Sequence, residues 1–202
     1  MRSEIVLLYS LLWLMSCSGE SASKVQSDFY SNDPIGEQDT VWVDPQSSQI
    51  IWKGTKMRGL GKHEGVIALK RGYLLMTNDV PAGGEFIIDM RSMEVTDIPE
   101  HEPIPRKNLI NHLKGPDFFA VDQYPEAQLK LTSVVSPLKI QGLLDMHGIS
   151  NSITFEAFKN DQGFQTVIIL DRFRWNIAYE GSWIDRTLVD REIELNINLV
   201  LK

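Results

Sequence analysis

Apolar and polar residues alternate with a period of two along most of the chain from about residue 40 onward, the pattern of strands with one buried and one solvated face. "GEFIIDMRSMEV" sets Phe86, Ile88 and Met90 against Ile87, Asp89 and Arg91. "AQLKLTSV" sets Leu129 and Leu131 against Gln128, Lys130 and Thr132. The last strand, "EIELNINLVL", alternates Ile193, Leu195, Ile197, Leu199 and Leu201 with Glu194, Asn196, Asn198 and Val200. Further strands are expected at about 40–44, 49–57, 65–70, 73–80, 138–145, 151–159 and 164–171. Turn signals separate them at Arg71-Gly72, Ala82-Gly83-Gly84, Ser136-Pro137 and Asp161-Gln162-Gly163. One helical segment stands out, at about 106–114, with Gly115-Pro116 as its stop. Many short strands without crossover helices predict an all-β fold, an antiparallel barrel or sandwich with one or two short helices.

Composition refines this picture at the N-terminus. "MRSEIVLLYSLLWLMSCSGES" holds an apolar run from Ile5 to Met15, too short to span a bilayer but laid out as a secretory signal. Leu14-Met15-Ser16-Cys17 resembles the bacterial lipoprotein signal box. The expectation is a signal peptide over 1–16, a lipidated Cys17 opening a flexible tether over 17–38, and a folded domain over 39–202. An ordinary signal peptide is the alternative. Cys17 is the only cysteine, so no intramolecular disulfide forms. A net charge of -7 with scattered basic residues argues against nucleic-acid binding.

Chemistry-bearing signatures are sparse. No phosphate-binding glycine loop, Gly-x-Ser-x-Gly, His-Glu-x-x-His or Cys-x-x-Cys occurs. His63, His101 and His112 are the candidates for a metal site, and a metal-dependent enzyme built on them is one alternative. The aspartates sit at strand ends and turns, where they commonly bond to backbone. "DRFRWNIAYEGSW", residues 171–183, alternates arginine with aromatics; Arg172 and Arg174 are expected to pair with carboxylates at a barrel rim, or to hold an anionic head group there.

Five blocks, in order, carry a family resemblance: "VWVDPQSSQIIWKGTKM" with "GKHEGVIALKRGYLLM", "GGEFIIDMRSMEVTD", "LINHLKGPDFFAVDQYPEAQLKLTSV", "IQGLLDMHGISNSITFEAF" and "DRFRWNIAYEGSWIDRTLVDREIELNINLVLK". Together they resemble the YceI-like proteins from about Thr40 to Lys202. Where many members have an Arg-Ser-Asp-Phe-Gly-like run, this chain has Arg172-Phe173-Arg174-Trp175-Asn176. The resemblance implies a lipocalin-like antiparallel β-barrel of about eight strands enclosing an elongated apolar cavity. It also implies binding of a polyisoprenoid or similar long amphiphile in the periplasm, with no catalytic residues and no cofactor. Phe86, Ile88, Met90, Leu129, Leu131, Ile153 and Phe155 are then expected to line the cavity, with Phe118 and Phe119 as plug or cap. The expected partners are a lipid and, through Cys17, a membrane; dimerisation stays open. A surface lipoprotein whose core is filled by side chains is the third reading.

Overall fold

The computed structural model describes residues 38–134, 139–177 and 188–202. The expected signal peptide, Cys17, nearly all of the tether and the Ser136-Pro137 turn lie outside them. The described residues form nine strands and one α-helix. They run β1 (Asp39–Trp42), β2 (Gln49–Lys56), β3 (Gly61–Thr77), β4 (Val80–Val95), α1 (Pro103–Lys114), β5 (Glu126–Val134), β6 (Lys139–Met146), β7 (Ile149–Asn160), β8 (Gly163–Asp171) and β9 (Val189–Val200). From β2 onward each strand pairs antiparallel with the next, and β9 pairs back onto β2. That closes an eight-stranded antiparallel barrel of lipocalin-like form. β1 does not add a ninth stave. It pairs with the far end of β3 along the edge that β2 uses at the near end, continuing β2 beyond a turn in which the Asp44 carboxylate accepts from Gln46 N–H and Ser47 Oγ.

Alternation decides which face turns inward. Along β5, Ala127, Leu129 and Leu131 are buried while Glu126, Gln128 and Lys130 are exposed. On β8 the buried set is Phe164, Thr166, Ile168 and Leu170. A slip of one residue in register would turn each apolar set out to water, and each large side chain so moved would lose about 1.5–3 kcal/mol. On β5 the outward residues are polar, the reverse of a barrel that presents its exterior to lipid, while β8 also turns Val167 and Ile169 outward.

Two expectations about β3 and β4 are corrected. The segments 65–70 and 73–80 are one strand, running through Arg71-Gly72 with three register shifts against β4. Gly72 is there for close approach: a Cβ would stand 2.6 Å from the Phe86 ring. The turn falls instead at Asn78-Asp79, both in the left-handed region (φ 51 and 62), as a two-residue hairpin loop needs. β4 therefore begins at Val80, and Ala82-Gly83-Gly84 lies within it.

Helix α1 starts with Pro103, whose missing N–H costs nothing there, and ends at Gly115, whose N–H bonds to His112 O. Phe119 N–H then bonds to Leu113 O and Phe118 N–H to Gly115 O, folding the aromatic pair back under the helix. The two rings meet edge to face, 5.0 Å apart, and both are buried. After β8, a 3₁₀ turn over Arg172–Trp175 is capped by the Asp171 carboxylate, which accepts from Phe173 N–H.

The wall is not uniform. β7 has 12 residues and β8 has 9, yet only Ala157–Asn160 and Gly163–Thr166 pair. Beyond that joint Thr166 Oγ1 donates to Glu156 O, and the 3₁₀ turn takes over. Asn151 Nδ2 donates to Arg174 O, and Arg174 Nη2 donates to Ser152 O.

Candidate functional site

The barrel encloses a cavity of about 360 Å³. All seven residues expected to line a cavity line it: Phe86, Ile88 and Met90 from β4, Leu129 and Leu131 from β5, Ile153 and Phe155 from β7. Phe118 and Phe119 line it at the α1 end, beside Leu109 and Leu113. A core filled by side chains would leave no such volume.

The two ends differ. Toward the β3–β4 hairpin the lining is Leu74, Pro81, Leu131, Ile140, Phe164 and Leu199. Thr166 apart, the polar side chains that line the cavity gather at the α1 end: Thr55, Lys56, His63, His112, Arg172, Asp190 and Glu192. Strand direction explains this, since β2 and β8 end there while β3 and β9 begin there.

Several of these groups are committed to structure. The Asp190 carboxylate accepts from Thr55 Oγ1 at 2.6 Å, Arg58 N–H at 3.0 Å and Gly59 N–H at 3.1 Å. These bonds, Thr55 foremost, hold its carboxyl below the usual carboxylate range and tie β9 to the β2–β3 turn. Arg172 is 0 % exposed. Its Nε, Nη1 and Nη2 donate to Asp190 O, Ile177 O and Val189 O at 3.0, 2.7 and 3.0 Å. Its guanidinium lies 4.3 Å from the Phe173 ring centre and 5.8 Å from that of Phe118. Burial pushes it below its ordinary pKa, opposed by Asp171 and Asp190. Where pairing of Arg172 and Arg174 with rim carboxylates is expected, the bonds of both among the described residues go to backbone carbonyls, Arg174 Nη2 donating to Ser152 O. The rim carboxylate Asp171 pairs with Arg191 instead; burial works against its ionisation, and the bonds from Arg191 and Phe173 N–H outweigh that and lower its pKa. Trp175, also 0 % exposed, donates its indole N–H to Leu144 O at 3.0 Å.

The histidine candidates are not brought together. His63 and His112 border the cavity, and His101 stands with its side chain 80 % exposed beside Glu102. Among the described residues no group of three or more His, Cys, Asp or Glu forms a metal-sized cluster. Sequence reasoning missed the partner of His63. Its Nδ1 lies 2.9 Å from Asp97 Oδ2, while Asp97 Oδ1 accepts from Glu64 N–H at 3.2 Å. Thirty-four positions separate the two residues, so no local motif marks the pair.

This cavity, closed by an up-and-down wall, coincides with a known domain: the YceI-like domain matches residues 42–201. The chain belongs to the YceI-like family. Two solved structures resemble this YceI-like chain over most of its length. One is Burkholderia cenocepacia BcnA, 21% identical with a TM-score of 0.64, the alignment covering 78% of this chain and 98% of that one. The other is a domain from Saccharophagus degradans, described as polyisoprenoid-binding and implicated in plant cell wall breakdown. It is 9% identical with a TM-score of 0.55, covering 82% of this chain and 99% of that one. At these identities the likeness is one of fold. No curated protein matches the YceI-like chain.

Proposed function

We propose that this YceI-like barrel binds and carries one long apolar amphiphile, a polyisoprenoid or similar lipid, without catalysing a reaction on it. The observation that carries this reading is the cavity of about 360 Å³ whose walls are almost wholly apolar. Such a space favours a hydrocarbon chain, since each methylene moved from water to apolar surroundings contributes about 0.8 kcal/mol. Ten would give about 8 kcal/mol before the loss of freedom on association. The fold shared with a domain described as polyisoprenoid-binding supports the same ligand class. The nine residues Phe86, Ile88, Met90, Phe118, Phe119, Leu129, Leu131, Ile153 and Phe155 would be its contacts. In this reading the protein works in the cell envelope, facing the periplasm or the surface, held to a membrane through a lipidated Cys17.

Native mass spectrometry and lipid extraction of protein purified from its own host test the proposal. A stoichiometric long-chain lipid is expected. Protein without such a lipid, whose melting temperature added isoprenoids leave unchanged, would overturn it. Cys17→Ser is expected to release the protein from the membrane fraction; retention there would overturn the anchor.

A further inference from the structure

The polar end of the cavity has its own chemistry. Asp190, Thr55 and Arg172 spend hydrogen bonds on one another's strands and on backbone. His63 is different. Its Nδ1 meets the Asp97 carboxylate, which has only acceptors to offer when ionised, so the ring proton sits on Nδ1 and Nε2 of the neutral ring is an acceptor. Among the described residues nothing bonds to Nε2. Directly across the β2–β3 ladder from His63 is Gly54, and a Cβ built there meets no atom within 4 Å. The cavity therefore has room beside the His63 ring, which lines it and whose Nδ1 is held by Asp97. The charged side chains that line the cavity at this end are Lys56 and Arg172 against Asp190 and Glu192, with the Asp97 carboxylate on His63 besides, a local balance unfavourable to a further anion.

We propose that His63, positioned by Asp97, and the gap left by Gly54 form a head-group site selective for an uncharged hydrogen-bond donor, a hydroxyl. The ligand then lies with its tail toward the β3–β4 hairpin and its head at the α1 end. This deepens the carrier reading and rests on it. The selectivity is against carboxylate and phosphate heads, and against a head that only accepts.

Straight-chain probes separate the possibilities: hexadecanol, its methyl ether and hexadecanoate, each competing with an apolar fluorophore for the full-length protein. Hexadecanol is expected to bind about fivefold tighter than the ether, the worth of one net hydrogen bond, and tighter than hexadecanoate. His63→Leu removes the head-group hydrogen bond along with the bond to Asp97, and should bring alcohol and ether affinities together. Asp97→Asn should move the proton to Nε2, read in the imidazole ¹⁵N shifts, and abolish the alcohol preference, since alcohol and ether oxygens both accept from an N–H. Equal binding of alcohol and ether in the parent protein, tighter binding of hexadecanoate, or an unchanged alcohol preference after the ¹⁵N signal has moved would each overturn the site. If none of the three probes binds, the carrier reading itself falls.

Discussion

Ala157 on β7 faces the cavity and is 6 % exposed, so Ala157→Phe asks directly whether the volume there will accept a side chain. In a space of about 360 Å³ the ring is accommodated, and burying it offsets its ordering cost by about 1.5–3 kcal/mol. The melting temperature should then stay level or rise. In a core already filled, the same ring would cost about 1–3 kcal/mol, which for a domain of this size lowers the midpoint by about 2–12 °C. The second readout is the ligand. At one hundred times Kd, a ligand that binds only the folded state adds about 2.7 kcal/mol, a rise of about 5–11 °C. Ala157→Phe should remove most of that rise, because ring and chain compete for one space. Differential scanning fluorimetry with and without a long-chain alcohol measures both effects. A fall of several degrees in the unliganded variant, or a ligand-induced rise equal to that of the parent, would refute the reasoning.

Three further outcomes follow from the polar end. Arg172→Met leaves the carbonyls of Asp190, Val189 and Ile177 without their donor; at about 1–3 kcal/mol each, the loss is at least about 3 kcal/mol, seen as a lower midpoint in urea. Asp190 titrates below the usual carboxylate range in the folded protein, so its bonds stabilise above the ordinary pKa of about 4 and are lost as pH falls through the folded value. Asp190→Asn should therefore melt earlier than the parent at pH 7, with the difference closing in acid; an equal deficit at all pH would count against this. Phe118→Leu keeps an apolar contact but removes the ring beside Arg172, and is expected to speed ligand release in stopped flow; unchanged release with a lower midpoint makes the aromatic pair a structural corner.

Much of the wall is legible in the sequence, because a half-buried strand writes its orientation into every second residue. Leu129 and Leu131, or Ile193 through Leu199, leave no choice of face. The misreading of β3 has a physical source: glycine serves both turns and close approach, and Gly72 yields to the Phe86 ring rather than to a reversal of the chain. Asn78-Asp79, the actual turn, was hidden inside an apparently continuous strand. The apolar part of the site followed from the same alternation. Its polar end did not, because His63 and Asp97 meet only through the closure of β3 against β4, and Arg172 is buried by a 3₁₀ turn whose partners are carbonyls that every sequence possesses.

The short joint between β7 and β8 bears on how the molecule breathes. In a closed ring of staves, thermal fluctuation opens the seam with the fewest bonds to break, and here that seam is held by four residue pairs, side-chain bridges and a 3₁₀ turn. The amides of β7 from Ser152 to Glu156 on that side should exchange with solvent well before those in the β4–β5 and β8–β9 ladders. Motion of the wall thus has a direction, and the cavity has a side as well as two ends.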